Sequence, residues 1–587
     1  MIKLTSSLKI LSNPSQQQLK ELALQIPYVV IQTYHQNLNR ITRNKARMAQ
    51  YTYILDKPEN QHLYSSKVLD PKIAQNYIQL QQNYIQNVGT LIQIDGYLGL
   101  GPKAVPTRWL YTPEAANIAG MQQLLAFPRK AVENPQQLQQ PFQPKFHILY
   151  TPDCFPQDLP GQQAILVDLK NWTTYIMGPD YFGESKKAAL RMLNEYVYQQ
   201  GGLVLHAGAK AVKVGKKFFT VTILGLSGTG KTTTTFSKQG ELTQPIQDDM
   251  VCLWPKGNCT ITENGCFAKT FGLTPNTEPI LYQGCLKPTA WLENVFLDEQ
   301  QKPDFSKQLL SPKEVEQYKK IFLANKENPQ HLHDYIQGKI SPQEILDENG
   351  IPKDGWDFVV WTQNGRAVIP LSEIPNAANL QNIPPVQSMG ILNRDEGPDA
   401  ATPAIVQFSS PEQAAGYFML GETSKTSAAG KERGRTRSPF TQPFFPSAFG
   451  LQAKRFSQLL KTMENVQTWM MNTGYIGGGQ KEVEEGTALK ITIQHSSSIL
   501  EAMFREEIQW CTDPNFGYLV VDVQHPANQP LLKLVPPEIL QPYLFFKKHH
   551  RLHQYQQWVK QIQKERQEFL EKFQVDPLII QAVVQPS

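Results

Sequence analysis

Residues 225–232 read GLSGTGKT, a glycine-rich loop that follows the apolar, β-branched run 218–224. The run predicts a buried strand, and the threonines after the loop predict the start of a helix. Glycines in such a loop let backbone N–H groups turn toward phosphate oxygens, while its lysine and final threonine can meet the outer phosphates and a magnesium ion. The pattern therefore predicts a P-loop nucleotide-binding domain of the α/β class, with an ordinary glycine-rich turn as the alternative. The candidate nucleotide-binding residues are Gly225, Leu226, Ser227, Gly228, Thr229, Gly230, Lys231, Thr232 and Thr233.

An acidic pair, Asp248 and Asp249, follows the glycine-rich loop and immediately precedes the apolar residues 250–254. Adjacent carboxylates beside a phosphate site favour a divalent cation, because their repulsion is costly without one. An isolated Asp-Asp dipeptide is more often a solvated turn. Next to this loop, the metal site is the preferred interpretation.

Composition narrows the class of protein. The chain has 587 residues, 40% of them hydrophobic, which is enough for more than one globular core. A net charge of +5 with dispersed basic residues does not call for nucleic acid, and the dense basic run at 431–437 can be a solvated loop. The six cysteines form no CxxC pair, and no run of eighteen apolar residues occurs. We therefore expect a cytoplasmic protein that neither binds a membrane nor depends on disulfides or structural zinc.

The pattern of apolar segments suggests a division of the chain into four regions. We expect an α-rich N-terminal region at 1–90, a substrate-side α/β lobe at 91–215, and a nucleotide- and metal-binding lobe at 216–505. The polar stretch at about 300–355 is expected to be an insertion or surface subdomain, and 506–587 a helical region. Strands are predicted at 146–150, 164–167 and 203–205, and helices near 186–198 and 312–324.

Several motifs, taken in order along the chain, resemble those of the ATP-dependent phosphoenolpyruvate carboxykinase family. Besides the glycine-rich loop and the acidic pair, they are YFGESKK at 181–187, GLVLH at 202–206, GCFAKT at 265–270, EPI at 278–280, LENV at 292–295, NGR at 364–366, AGKERG at 429–434 and NTGY at 472–475. The resemblance runs collinearly from about 145 to 505. It implies a two-lobed fold with mixed sheets around the nucleotide-binding domain.

The resemblance also implies cofactors and ligands. ATP would bind the glycine-rich loop, with Arg433 beside the adenine. A manganese ion would be held by a deprotonated Lys187, His206 and Asp249, and a magnesium ion by Thr232 and the triphosphate. Asp248 would support this cluster. In isolation, a lysine pair at a helix start is usually solvated, and a lone histidine usually belongs to the core. Here the lysine pair, His206 and Asp249 all fall at the family's motif positions, which favours metal binding.

The implied reaction has two halves. Oxaloacetate loses carbon dioxide, and the resulting enolate, stabilised by the metal and Lys186, attacks the γ-phosphate of ATP to give phosphoenolpyruvate. Lys231 and Arg366 would neutralise charge on the transferring group, so no protein nucleophile is needed. Tyr181 would lie beside the carboxylate or carbon dioxide. The partners are thus small molecules, and the oligomeric state is open, with a monomer acceptable.

Two departures from the family pattern keep the acceptor open. The family's TGRSPKD segment is best matched by residues 98–104, which put Leu100 where the carboxylate-binding arginine stands; Arg108 is a candidate replacement. After the metal histidine, the family's MHCSAN reads LHAGAK here, ending at Lys210. The alternatives are a carboxykinase-type kinase with another acceptor and, third, a nucleotide-binding regulator without turnover.

Overall fold

In the computed structural model, residues 8–44, 48–226, 229–347, 350–425, 434–441 and 444–584 are described. The chain forms two units, each assembled from two separate segments: unit 1 comprises 1–196 and 262–375, and unit 2 comprises 197–261 and 376–587. Helices and mixed sheets occur in both, so the predicted α/β class is confirmed. The four-region division proposed from sequence stays a prediction.

Unit 1 contains a large mixed sheet, with nine strands among the described residues. In spatial order the main strands are Lys9–Ser12, Thr90–Leu98, Val105–Tyr111, Phe146–Thr151, Thr173–Met177, Ala164–Asp168, Thr52–Leu55 and Lys67–Leu69, and Phe127–Pro128 pairs beside Thr90–Leu98. Helix Pro71–Val88 shares a buried core with this sheet. The helix begins where the Asp70 side chain accepts from a backbone N–H, and it ends at Gly89, whose φ of 71° favours glycine.

The second sheet of unit 1 places charged residues side by side. Its order is Gly265–Lys269, Arg366–Pro370, Trp291–Glu293, Leu38–Arg40 and Val30–Gln32. Helix Ala116–Leu125 packs closely against it, because a Cβ on Gly120 would lie 2.3 Å from the Trp291 ring. Pairing aligns Glu293 with Arg366 on one side and with Arg40 on the other.

The first 90 residues are richer in strands than their pattern predicts. Helices Gln16–Leu24 and Pro71–Val88 fit the expected α-rich region, but the same segment also supplies strands to both sheets of unit 1. Strand Leu38–Arg40, for example, pairs with Trp291–Glu293 from far along the chain. Such pairing depends on tertiary context, which local propensity does not report.

The polar stretch at 300–355 has a core that its composition did not predict. Helices Pro312–Ala324, Pro329–Ile336 and Pro342–Ile345 bury aromatic and aliphatic side chains together with Ile41 and Phe296 from outside the stretch. The predicted helix at 312–324 is confirmed, and Ser311 and Glu314 form a capping box at its start.

Unit 2 is organised around a mixed sheet with eight strands in the part of the chain that the structure describes. Its order is Leu242–Gln247, Ala207–Val214, Lys217–Gly225, Val386–Asn393, Gln467–Asn472, Ile405–Gln407, Leu519–Val521 and Trp510–Thr512. Lys217–Gly225 lies centrally and pairs with a neighbour on each side, which explains its continuous apolar run. A smaller sheet joins Leu203–Leu205, Val251–Leu253 and Cys259–Ile261.

The remaining elements are helices and short hairpins. The other helices are Arg129–Val132, Pro135–Leu138, Phe182–Gln199, Lys231–Phe236, Pro279–Cys285, Pro411–Leu420, Gly450–Leu460, Gln480–Glu484, Ile493–Phe504, Gln529–Leu532, Pro537–Leu540, Pro542–Lys548, Leu552–Lys572 and Pro577–Val584. The hairpins pair Phe296–Leu297 with Pro303–Asp304, Glu422–Lys425 with Gly434–Arg437, and Tyr475–Ile476 with Leu489–Lys490. All six cysteines are free thiols. Among the described residues, no helix has the length and apolar character needed to span a membrane.

Candidate functional site

The glycine-rich loop joins the predicted strand to the predicted helix in unit 2. Strand Lys217–Gly225 leads into it, and helix Lys231–Phe236 begins after Gly230, whose φ of 89° is left-handed and favours glycine. Thr229 is held from two sides, because its hydroxyl donates to the Leu226 carbonyl at 2.8 Å and its own carbonyl accepts from Thr473 at 2.9 Å. Ser227, Gly228 and the side chains of Thr232 and Thr233 lie outside the described part of the chain.

Two of the predicted site residues of unit 2 converge on a carboxylate oxygen of a third. Asp249 Oδ1 lies 3.1 Å from Lys231 Nζ and 2.9 Å from His206 Nε2. Sheet pairing brings them together: His206 directly precedes Ala207–Val214, Asp249 follows Leu242–Gln247, and these two strands are antiparallel neighbours. Asp248, beside Asp249, is buried.

The imidazole of His206 is oriented for ligation. Its Nδ1 lies 2.8 Å from the Phe440 carbonyl, which can only accept, so the proton belongs on Nδ1 and the Nε2 lone pair faces Asp249. Burial, followed by the charge of Lys231, lowers the pKa of His206 and favours this neutral ring. Two acceptors that face each other need a cation or a proton to join them. The 2.9 Å between His206 Nε2 and Asp249 Oδ1 is an ordinary hydrogen-bond distance, so either a proton or a cation can join the two atoms.

The predicted site residues of unit 1 gather around the ring of Phe267. Lys186 Nζ lies 5.5 Å from the ring centroid, the Arg366 guanidinium carbon lies 5.9 Å from it, and the two ring centroids of Tyr181 and Phe267 are 6.3 Å apart. Cations over an aromatic face are attracted to its negative charge density. Phe267 lies in the GCFAKT motif, and nothing in the sequence of that motif indicates a role for the ring.

Lys186 and Lys187, although adjacent, contact different carboxylates. Lys186 Nζ lies 2.8 Å from Glu263 Oε2, and both side chains are 3% exposed. Lys187 Nζ lies 3.9 Å from Glu184 Oε1, and Arg191 approaches the other oxygen of that carboxylate at 3.3 Å. Burial opposes ionisation of Glu184, but Lys187 and Arg191 outweigh it and lower its pKa. Each lysine thus has a carboxylate that fixes its position.

The N-terminal region, to which the sequence analysis gave no role, contacts the segment that carries Tyr181 and the lysine pair. Asn44 N–H donates to Asp180 Oδ1 at 3.0 Å, and Met48 N–H donates to Glu184 Oε1 at 2.9 Å. The signal in the sequence was the basic run TRNKAR at 42–47. Residues 45–47 lie outside the described part of the chain.

The suggested replacement for the lost substrate arginine is already paired. Arg108 forms two parallel bonds to Asp95, with Nε to Oδ1 at 2.7 Å and Nη2 to Oδ2 at 2.8 Å. The two residues face each other across neighbouring strands. A bidentate pair of this kind leaves the guanidinium fork occupied. The structure therefore argues against Arg108 as a carboxylate-binding group, and Leu100 has no replacement there.

On the nucleotide side, the predicted adenine residue Arg433 lies outside the described residues. Its neighbour Arg435 contacts Asp395 Oδ1 at 3.2 Å and Asp399 Oδ2 at 3.3 Å. Burial opposes the charge of Arg435, but Asp395, Glu422 and Asp399 together outweigh burial and raise the pKa of Arg435. Arg435 therefore anchors the hairpin formed by Glu422–Lys425 and Gly434–Arg437, whose two strands flank residues 426–433 in the sequence.

No three His, Cys, Asp or Glu side chains of the described residues gather as a metal site. The set that the family resemblance implies consists of Lys187, His206 and Asp249. It includes a lysine, so it has only two side chains of these four types. Two cavities of about 370 and 700 Å³ lie elsewhere in unit 2, around Asp513 and Tyr555 and around Ser497 and Leu534.

Comparison with known proteins gives a consistent family. A family model described as phosphoenolpyruvate carboxykinase matches residues 8–338 and 343–527. The match includes residues 8–90 of the N-terminal region and all of the expected insertion except 339–342. Residues 528–587 lie beyond it.

Individual relatives carry the name phosphoenolpyruvate carboxykinase (ATP). The protein from Bradyrhizobium sp. strain BTAi1 is 28% identical over 80% of this chain and 75% of its own length. Those from Bradyrhizobium sp. strain ORS 278 and Rhodopseudomonas palustris strain BisB5 are each 29% identical, over 68% and 65% of this chain and 63% and 59% of their own lengths. The last two alignments thus span less than two thirds of the relative.

Proposed function

This chain belongs to the phosphoenolpyruvate carboxykinase family, and from that premise we propose that it converts oxaloacetate and ATP to phosphoenolpyruvate, ADP and carbon dioxide. The observation that carries the proposal is the convergence of His206 and Lys231 on Asp249 beside the glycine-rich loop. A phosphate-binding lysine and an imidazole with a free lone pair share one carboxylate, which suits phosphoryl transfer assisted by a metal.

We propose Lys187, His206 and Asp249 as ligands of a manganese ion, Thr232 as a ligand of a magnesium ion, and Asp248 as a support for them. The donor set fits, because an imidazole nitrogen and a carboxylate oxygen suit a divalent ion. When bound, the metals supply positive charge to the developing enolate and to the phosphates. Lys187 would have to release its proton before it could coordinate.

The chain's own residues then bind and orient the reactants. Lys231 neutralises the outer phosphates, and the backbone of the glycine-rich loop cradles them. Lys186 and Arg366 stabilise the anionic acceptor, and both are kept in place by the ring of Phe267. Tyr181, against the same ring, would lie beside the carboxylate or carbon dioxide, and Arg433 beside the adenine. Because charge stabilisation and positioning suffice, no covalent intermediate on the protein is required.

A kinase with a different acceptor is the second candidate. It is favoured by Leu100, which cannot bind a carboxylate, and by the pairing of Arg108 with Asp95. Against it, the N–H groups of Asn44 and Met48 donate to Asp180 and Glu184, which lie on either side of Tyr181 in the chain, and Arg47 lies between Asn44 and Met48 in the sequence. We propose that the segment 42–48, and not residues 98–104, supplies the carboxylate-binding cation.

A coupled assay tests the function directly. The purified protein with ATP, manganese and oxaloacetate should form phosphoenolpyruvate, and Lys231→Ala should not. If ATP and manganese bind but no product forms, the carboxykinase proposal is wrong and other acceptors have to be screened. Two variants locate the acceptor site. We expect Arg47→Gln to raise the KM for oxaloacetate at least tenfold, which corresponds to a loss of about 1.4 kcal/mol or more in binding free energy. Leu100→Arg should leave this KM unchanged.

A further inference from the structure

Strand Ala207–Val214 approaches helix Lys231–Phe236, which begins at the end of the glycine-rich loop, more closely than most side chains would allow. A Cβ added to Gly208 would lie 2.2 Å from Thr235 Oγ1, so a larger residue here would force the Thr235 side chain to move. Lys210 is two residues further on, and side chains two apart on a strand share a face. The same face of the strand thus presents Gly208 and Lys210 to the helix.

The ammonium group of Lys210 is fully buried at the end of that helix. Its Nζ donates to the Thr234 carbonyl at 2.5 Å, to the Ser237 carbonyl at 3.0 Å and to the Ser237 hydroxyl at 3.2 Å, and it also contacts Gln239 Oε1. Carbonyls in the last turn of a helix have no partner within the helix, and they carry partial negative charge. A cation with three donors satisfies several of them at once.

None of these partners carries a charge, so burial lowers the pKa of Lys210 to about 7. Keeping a lysine here costs free energy that a neutral side chain would not. The family pattern quoted above has asparagine at this position, which is shorter and uncharged. The lysine therefore has a geometric task that offsets its desolvation.

We propose that Lys210 is a positioning residue that fixes the C-terminal end of helix Lys231–Phe236 and thereby the place of Lys231 in the phosphate site. The helix has only six residues, so a clamp on Thr234 and Ser237 acts within about one turn of Lys231. This inference rests on the proposed nucleotide binding. It concerns the affinity for the nucleotide and not the chemistry of the acceptor.

The test compares Lys210→Met and Lys210→Gln with Lys213→Met, an exposed lysine on the same strand. Binding of Mg·ATP is measured by calorimetry, and the KM values for ATP and oxaloacetate are measured by the coupled assay. We expect Lys210→Met to raise the Kd and KM for ATP about tenfold, which corresponds to a loss of about 1.4 kcal/mol in the free energy of ATP binding. The KM for oxaloacetate should stay within about twofold of the wild-type value. Lys210→Gln, which keeps an amide donor, should recover part of the loss, and Lys213→Met should resemble the wild type.

The outcomes separate the two proposals. If the wild type binds Mg·ATP and Lys210→Met binds it equally well, the inference is wrong but the proposed function stands. The same holds if Lys210→Met raises the KM values for ATP and oxaloacetate equally. Failure of the wild type to bind Mg·ATP overturns the proposed function and this inference with it. If Lys210→Met does not fold, hydrogen exchange is measured on Lys210→Gln. The amides of residues 231–236 should then exchange faster than in the wild type, while those of residues 217–225 should not. Exchange at the wild-type rate in 231–236 rejects the clamp.

Discussion

His206 Nε2 lies 2.9 Å from Asp249 Oδ1, and the neutral imidazole presents its lone pair to that oxygen. Asp249 also contacts Lys231, so the proposed function gives this carboxylate a part in both the metal site and the phosphate site. We expect His206→Ala to raise the manganese concentration needed for half-maximal activity at least tenfold while changing the Kd for ATP less than about threefold, because His206 contacts no phosphate-binding group. Metal titration and nucleotide calorimetry measure the two effects.

A matched control is His553→Ala, an exposed histidine in unit 2. It should leave both quantities at their wild-type values. An equal loss of manganese and ATP affinity in His206→Ala would assign His206 to the core of the fold and remove it from the ligand set.

Lys231→Ala should abolish turnover, with a decrease of at least about a thousandfold in kcat/KM, because the transferring phosphate loses its principal side-chain cation. It should also release Asp249 from its contact at 3.1 Å. The exposed Lys238, just beyond the same helix, provides the control, and Lys238→Ala should retain full activity. Turnover that survives in Lys231→Ala would take the glycine-rich loop out of the mechanism.

The parts of the fold that local sequence encodes were predicted correctly. Strand Lys217–Gly225 and helix Lys231–Phe236 flank the glycine-rich loop as expected, because hydrophobic pattern and glycine placement are local signals. The strands of the first 90 residues were missed, because their partners lie far along the chain. The engagement of Arg108 by Asp95 was missed for the same reason: cross-strand register is a property of the assembled sheet.

Side-chain roles were harder to predict than elements. Phe267 belongs to the GCFAKT motif, but its proximity to both Lys186 and Arg366 depends on strand pairing within unit 1. The proposed ligand and substrate residues stay predictions until binding is measured.

The buried pair of Lys186 and Glu263 should contribute strongly to stability in a way that a double-mutant cycle reveals. Glu263→Gln removes the carboxylate 2.8 Å from a buried ammonium, so we expect a loss of about 3–5 kcal/mol in the free energy of unfolding. Lys186→Met/Glu263→Gln should lose less than the sum of the single variants, because neither charge is then left behind. Urea unfolding gives the energies, and additive losses would show that the two side chains do not interact.

Glu293 should make stability depend on pH. Burial raises the pKa of its carboxyl to about 8 from an ordinary value of 4.5, so the native protein holds a proton that the unfolded chain releases between these values. The stabilising contribution of the protonated group is fully present below about pH 4.5 and is lost as the pH rises through about 8. Glu293→Gln keeps the neutral form at every pH. Between pH 5 and 8.5, the wild type should therefore lose roughly 2–4 kcal/mol relative to this variant.

Urea unfolding at pH 5, 7 and 8.5 provides the comparison. Glu299→Gln, at a carboxylate that is 79% exposed, should follow the wild type at each pH. Parallel curves for the wild type and Glu293→Gln would mean that the Glu293 carboxyl is already ionised in the native protein at pH 5.

Helix Leu552–Lys572, which lies beyond the family match, should be required for the stability of unit 2. Glu422 accepts from Arg566 Nη2 at 2.8 Å and from Arg437 Nε at 2.7 Å, and Arg566 Nη1 also donates to the Tyr417 hydroxyl at 2.9 Å. Both Glu422 and Arg566 are buried. Arg566→Met removes the first of three arginines that offset the desolvation of Glu422, the others being Arg437 and Arg435, so we expect a loss of about 3–5 kcal/mol in the free energy of unfolding.

Adding Glu422→Gln to Arg566→Met should cost less than the two single losses combined, because the carboxylate that needed the arginine is gone. Lys564→Met on the same helix is the control, since its ammonium lies 3.8 Å from Glu568 with both side chains exposed, and it should change stability by no more than about 0.5 kcal/mol. Urea unfolding at neutral pH compares the four variants with the wild type. If Arg566→Met and Lys564→Met are equally stable, the helix is held by its apolar face alone and the buried pair contributes nothing to unit 2.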